Sequence, residues 1–244
     1  MRNRFTLQQF SSLFQIRNPA GRHYVIIGGQ AVNYWAERYL EIEPELQKHA
    51  PFTSEDIDFC GNRDDVLYIA GQLKLIPAFP PKVAMTALAG FIPIRIKDRE
   101  TSIEIVRRVP GIAANLIPAL AVEMTWKDKA VRVLDPISLL ACKIELALTV
   151  SQQKRQDVEH LKILLPCVRG FLRELLLQVE QGNVPARGWL GAVNRLTKLT
   201  HSTHGRQVAK KWAVNWSQLL PRPEILRSQN GKIARFREQQ LPAL

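Results

Sequence analysis

Apolar and polar positions recur along this chain with two different periods, and the change between them divides it. His23-Tyr24-Val25-Ile26-Ile27 is a short β-rich apolar run of the kind that forms a buried strand. Gly28-Gly29 ends it. Ala31, Val32, Trp35, Ala36 and Tyr39 then fall on one helical stripe, which predicts a helix from Gln30 to Leu40. Upstream, Phe5, Leu7, Phe10, Leu13, Phe14 and Ile16 have helical spacing and predict an amphipathic helix. Residues 41–55, with Pro44 and Pro51, predict a loop. Ile57 and Phe59 alternate with Asp56 and Asp58, so a second short strand sends both carboxylates to one face. A helix follows from Asn62 to Leu75, with Asn62 as its cap. The alternating runs 91–96 and 101–106 bracket Lys97-Asp98-Arg99-Glu100 as a hairpin, and Val131–Leu134 is a further strand.

From Asp135-Pro136 onward the pattern is helical, over roughly 136–150, 155–165, 167–181, 186–199 and 205–220. The expected fold class is therefore α+β. A small mixed sheet with flanking helices occupies 1–135, and a C-terminal helical bundle occupies 136–244. The bundle ends in a basic tail containing Lys232, Arg235 and Arg237, which the pattern leaves loosely docked.

At 46% hydrophobic and 23% charged residues, the composition is that of a globular protein and excludes fibrous and disordered classes. No apolar run reaches the roughly 18 residues that a membrane span requires. The basic opening has no apolar leader segment. Cys60, Cys142 and Cys167 lie far apart with no paired metal spacing. A reduced, cytoplasmic setting and no membrane partner are expected. Charge changes the picture more. Residues 1–150 hold 18 Lys and Arg against 16 Asp and Glu, whereas 151–244 hold 16 against 6. So cationic a half suits a polyanion such as RNA, although a solvated basic surface explains the same count.

The chemistry begins at the two glycines. A Gly-Gly turn between a strand and a helix lets backbone approach phosphate oxygens, and the N–H groups of the helix start then point at them. Gly28, Gly29 and Gln30 occupy those positions. Two carboxylates at i and i+2 on a strand repel each other unless a divalent cation lies between them, and two cations about 4 Å apart serve phosphoryl transfer. Asp56 and Asp58 form such a pair, and Glu104, flanked by Ile103 and Ile105, is the choice for a third ligand on a neighbouring strand. Asp98 is the alternative, but it lies in the expected turn. Magnesium, as two ions, is the expected metal, with manganese as the substitute. Taken singly, a Gly-Gly pair is usually a plain turn, and the specificity lies in the order of the parts.

Lys143 sits in an apolar helical stretch, where a lysine faces a cleft, pairs with an acid such as Asp157, or reaches to the surface. Asp157 also suits a helix cap. His201 and His204 have no third ligand nearby and are expected as loop histidines rather than a zinc site. Trp212 and Trp216, spaced i and i+4 among cations, are expected as a packed stripe on one helix.

The runs Ile26-Ile27-Gly28-Gly29-Gln30-Ala31-Val32 and Ser54-Glu55-Asp56-Ile57-Asp58-Phe59 resemble the signature of the DNA polymerase β-type nucleotidyltransferase superfamily. Within it the chain is most similar to the AbiEii-like nucleotidyltransferases, toxins of toxin–antitoxin and abortive-infection systems. Their later lysine helix and aspartate correspond to Asp135–Lys143 and Lys154–Val158, so the resemblance covers about residues 23–165. It implies a nucleotidyltransferase core, transfer of a nucleoside monophosphate from a nucleoside triphosphate to an acceptor, and roles for Lys143 and Asp157 in holding the nucleotide. The acceptor would be an RNA such as tRNA, or a protein, and a toxin would have an antitoxin partner. The chain departs from the toxin pattern at Leu140, where an acid is usual, and has Gly29 where many relatives have serine. The competing expectation is a nucleotidyltransferase-like module without activity that binds nucleic acid or a partner protein.

Overall fold

The computed structural model describes residues 3–241. The chain divides into two compact units, Met1–Arg38 with His49–Cys142, and Tyr39–Lys48 with Lys143–Leu244. The later division falls inside a helix, between Cys142 and Lys143, and the short segment 39–48 belongs to the second unit.

The first unit is built on six strands: β1 (Val25–Ile27), β2 (Ile57–Cys60), β3 (Leu88–Ile96), β4 (Arg99–Val106), β5 (Ala121–Trp126) and β6 (Lys129–Leu134). They form one mixed sheet in the order β3-β4-β2-β1-β6-β5. β1 runs antiparallel to β2 and parallel to β6, and β2 runs parallel to β4. Helix α1 (Gly28–Tyr39) leaves β1 directly, α2 (Arg63–Leu73) follows β2, and the short α3 (Ile117–Leu120) leads into β5. Ile57, Phe59, Ile103, Ile105 and Ile92 are buried, with Val66 and Ile69 of α2. That alternation leaves Asp58 and Glu104 on the opposite face of their strands, half-buried.

Local chemistry sets the ends of these elements. Asn62 caps α2, its side chain accepting from the Asp64 and Asp65 amides, while Asp65 answers to the Asn62 amide at 2.7 Å, a reciprocal capping box. The β3–β4 hairpin turns on Lys97-Asp98 alone, with Lys97 at φ 48°. Pro93 is tolerated in β3 because that strand is at the sheet edge and needs no donor on its outer side. β5 is a strand the sequence pattern missed. It pairs with β6 through a second Lys-Asp turn at Lys127-Asp128. The opening of the chain is a short 3-10 helix, Leu7–Gln15, rather than a long amphipathic one, and a further 3-10 turn, Pro44–His49, lies in the expected loop.

The second unit holds the latter part of α4 (Pro136–Thr149), then α5 (Asp157–Glu180), α6 (Ala186–Thr200), α7 (Thr203–Trp212), α8 (Arg222–Arg227) and α9 (Gly231–Gln239). Two helices expected either side of residue 166 are one. Pro166 lies within α5, removing one backbone bond, and is buried among Leu164, Leu165, Cys167 and Val168, whose packing holds the helix together. The expected 205–220 helix instead stops at Ala213, which adopts φ 52°, so Trp212 and Trp216 sit on separate elements. The tail is not loosely docked: Ile225, Ile233 and Phe236 are buried, and Phe236 meets Trp189 edge-on at 5.3 Å. Among the described residues no helix is long and apolar enough to cross a membrane.

Segment 39–48 is fastened to α5 by charge. Glu43, 2% exposed, accepts from Arg173 at 2.9 Å and from Arg169, and Arg173 also reaches Glu224 at 2.7 Å. Tyr39 donates to Glu174 at 2.8 Å and its ring fills the space left by Gly170. Without Glu43, Arg169 keeps Glu45 and Arg173 keeps Glu224, so what is lost is the buried hub that both arginines share. Glu43→Ala is therefore expected to lower the stability of this unit by roughly 1–2 kcal/mol, measured by urea unfolding followed by circular dichroism.

Candidate functional site

Ile27, the last residue of β1, lies directly opposite Asp58 of β2, and Asp58 lies directly beside Glu104 of β4. In-register residues on adjacent strands project to the same face about 5 Å apart, so the register alone makes Asp58 and Glu104 neighbours. Asp56 precedes β2 in a bend, two residues before Asp58 and like it half-buried.

Gly28 turns the chain away from this row at φ +66°, and a Cβ there would lie 1.8 Å from Asp58 Oδ2. Both the left-handed conformation and the contact exclude any side chain. The backbone of the first α1 turn thus passes directly over the Asp58 carboxylate. Gly28 is itself the first residue of α1, so the helix begins two residues earlier than the apolar stripe predicts.

The remaining partners fix this arrangement. The Phe5 carbonyl accepts from the Ser54 amide at 3.0 Å and from Gln30 Nε2 at 3.0 Å. Gln30 is fully buried and also accepts from Asn33 at 3.0 Å. Its side chain therefore ties the start of α1 to the segment leading into Asp56, and only its backbone faces the turn. Thr101 of β4 donates to the Glu55 carbonyl at 2.6 Å, holding the Asp56 bend against β4. Phe5 and Thr101 carry no charge and no motif, so nothing in the sequence marks them as positioning residues, whereas Ser54 opens the Asp56-x-Asp58 run.

A divalent cation suits these residues by donor chemistry, since carboxylate oxygens are its preferred ligands. The glycine that could not carry a Cβ keeps backbone close to the same point. Among the described residues, however, no group of three or more His, Cys, Asp or Glu side chains stands gathered as a ready-made metal cage. Register supplies the proximity of Asp58 and Glu104, and side-chain rotation would have to supply the convergence.

Lys143 and Asp157 belong to the second unit, and they are joined. Lys143 Nζ lies 2.8 Å from Asp157 Oδ1, and Arg155 Nε lies 2.5 Å from Oδ2; Lys143 and Asp157 are both almost wholly buried. Asp157 is the first residue of α5 and does not cap it; its carboxylate serves the two cations instead. Burial pushes this carboxyl up, but Lys143 and Arg155 together outweigh that and hold it at about 2. His201 and His204 do not converge either: His201 Nδ1 meets the Thr197 carbonyl at 2.9 Å, and His204 Nδ1 meets Glu145 at 2.7 Å. Trp212 and Trp216 are half-buried, with Trp216 donating to the Gly205 carbonyl at 3.2 Å.

No family model and no curated protein matches the chain.

Two outcomes follow from this geometry. Gly28→Ala adds a methyl group where Asp58 stands and fixes an unfavourable φ, so it is expected to cost at least about 1–2 kcal/mol and to displace Asp58; differential scanning calorimetry reads the first effect. The second concerns Asp157, whose folded carboxyl is depressed from 3.8 to about 2. The stability it contributes is present above pH 4 and is lost as pH falls towards 2, an effect of about 2 kcal/mol. Asp157→Asn is expected to flatten that part of the acid-unfolding curve, together with an overall loss of stability at neutral pH.

Proposed function

We propose that the first unit is a metal-dependent nucleotidyltransferase, moving a nucleoside monophosphate from a nucleoside triphosphate to an acceptor hydroxyl. One observation carries the reading. Asp58 and Glu104 are in register on adjacent strands, under a glycine whose missing side chain lets a helix start pass over them, with Asp56 two residues away.

The roles follow from the chemistry of each group. The N–H groups at the start of α1, from Gly28 and Gly29 onward, bind phosphate oxygens. Asp56 and Asp58, with Glu104, are the residues that would hold magnesium or manganese, and bound metal supplies the positive charge that phosphoryl transfer requires. Glu104 is also placed to accept the proton of the acceptor hydroxyl. The acceptor oxygen forms a bond to the α-phosphorus as the bond to the bridging oxygen breaks, and pyrophosphate leaves. Phe5 and Thr101 position the site and touch no substrate in this scheme, while Gln30, its side chain held by Phe5, meets phosphate only through its backbone N–H.

An RNA acceptor is supported by where the acids of the second unit go. Asp157, Glu174, Glu180 and Glu224 are engaged by Lys143, Tyr39, Ser228 and Arg173. Lys162, Arg187, Lys198, Arg206, Lys210 and Lys211 meanwhile face solvent, leaving a cationic exterior that suits a polyanion. A toxin role, with an antitoxin as partner, rests only on the resemblance of the sequence motifs. It would appear as growth arrest on expression that Asp58→Ala abolishes.

A second reading is a nucleotidyltransferase-like unit that binds nucleic acid without transfer, which the cationic exterior of the second unit suits equally. Incubation with each labelled nucleoside triphosphate, magnesium, total RNA and cell protein separates the two. Transfer to RNA or protein that falls at least about a hundredfold in Asp56→Asn/Asp58→Asn supports the first reading, a loss on the scale of a transition-state contact. No transfer with any triphosphate, or transfer that survives the double substitution, sinks it.

A further inference from the structure

The carboxyl ends of β2 and β4, which run parallel, lead to a second feature of the first unit. A cavity of about 420 Å³ is lined there by Arg63, Lys82 and Arg107, with Asn62 and the Pro80-Pro81 segment as its walls. No carboxylate lines it. Asn62 is four residues beyond Asp58 and Arg107 three beyond Glu104, which places the cavity roughly 10 Å along the strands from the carboxylate row.

The two arginines are held in place without being neutralised, and Lys82 stands exposed at the rim. The Arg63 guanidinium lies over the Phe79 ring at 3.7 Å from its centroid, a stacking that leaves its N–H edge open. Phe79 is in turn seated against Gly90, where a Cβ would come within 2.8 Å of its ring, and residue 78 is bridged to Phe91 of β3. Arg107 Nη2 donates to the carbonyls of Thr86 and Leu88 at 3.1 and 3.2 Å. A guanidinium has five N–H groups, so those of Nε and Nη1 remain for a ligand. Here an aromatic ring and two carbonyls fix the geometry and leave the charge.

We infer that Arg63, Lys82 and Arg107 form a phosphate-binding cavity, and that the phosphate belongs to a nucleic-acid strand lying across the carboxyl ends of β2 and β4. The cavity has the size of a small-ligand site, and planar guanidinium groups match phosphate oxygens two at a time. The role given to the strand, holding an acceptor near the Asp58–Glu104 row, rests on the nucleotidyltransferase reading; the phosphate site does not.

The test is binding without metal or triphosphate, so it does not depend on transfer. A labelled single-stranded RNA of about a dozen nucleotides is titrated by fluorescence anisotropy at several salt concentrations. Arg63→Gln/Arg107→Gln is expected to weaken binding about tenfold and to lower the salt slope by about 1. Lys74→Gln/Lys97→Gln, which removes the same charge from exposed positions elsewhere in the unit, is expected to stay within about twofold. Phe79→Ala, which leaves the charge unchanged, is expected to weaken binding about threefold by releasing Arg63. Equal losses in the two double variants, or none in the first, overturn the site. A parallel titration with ATP tests the source of the phosphate: a loss confined to ATP overturns the strand assignment. Circular dichroism melting confirms that each variant is folded. RNA binding lost on these substitutions while labelled transfer is absent even from the parent protein would overturn the enzymatic reading and leave the cavity standing.

Discussion

Gly28 and the Asp58 carboxylate share a space that leaves no room for a side chain at position 28. The antiparallel pairing of β1 and β2 sets Ile27 opposite Asp58, so the next residue must turn away from the sheet within one peptide unit. It does so at positive φ with its Cα against the carboxylate. Every other part of the site is arranged around that crossing. Gln30 and Ser54 meet on the Phe5 carbonyl, Thr101 holds the Glu55 carbonyl, and β4 runs beside β2 so that Glu104 lies next to Asp58. A backbone passing this close to an acid brings peptide N–H groups and a carboxylate to one point, which is what a phosphate and its counter-cation both require.

Charge is used differently in the two units. In the second unit, acids are spent inward: Glu43 binds Arg169 and Arg173, and Asp157 binds Lys143 and Arg155. Removing a charge from such a pair is costly because the partner stays buried, so these contacts fix geometry more than they add net stability. The consequence is an exterior on which Lys and Arg outnumber the exposed acids Glu41, Glu159, Glu180 and Glu238. In the first unit, by contrast, the acids near the sheet row are grouped and half-buried, and the cations of the neighbouring cavity are held by a ring and by carbonyls. One chain thus carries a cationic exterior suited to a polyanion and a carboxylate row, set by strand register, suited to a cation.

Local pattern was a good guide wherever a residue's role depends on its immediate neighbours. The Asn62 cap, the burial of Ile57 and Phe59 against the half-buried Asp56 and Asp58, and the α4 start at Asp135-Pro136 depend on spacings of two to four residues. Asp135 accepts from the Ile137 and Ser138 amides at 2.9 and 3.0 Å, as its place before Pro136 suggests. Pattern failed where burial overrode it. Residues 155–165 and 167–181 read as two helices, but the buried neighbours of Pro166 keep α5 continuous. Trp212 and Trp216 were expected to share a face, but the left-handed turn at Ala213 parts them. The alternation in Ala121–Trp126 was too weak to announce a strand until β6 paired with it.

By itself, then, the sequence determined the α+β class, the strand–glycine–helix turn, the carboxylate alternation and the uneven charge, because each is written in residue type and short-range period. Only the tertiary structure decided that Glu104 stands beside Asp58, that Gln30 turns inward to Phe5, that Lys143 is paired with Asp157, and that Arg63, Lys82 and Arg107 share a cavity. Those facts are set by strand register and by contacts between residues 14 to 46 positions apart. A chain's local propensities do not encode such long-range pairing, because it is chosen by which faces the folded core leaves to meet.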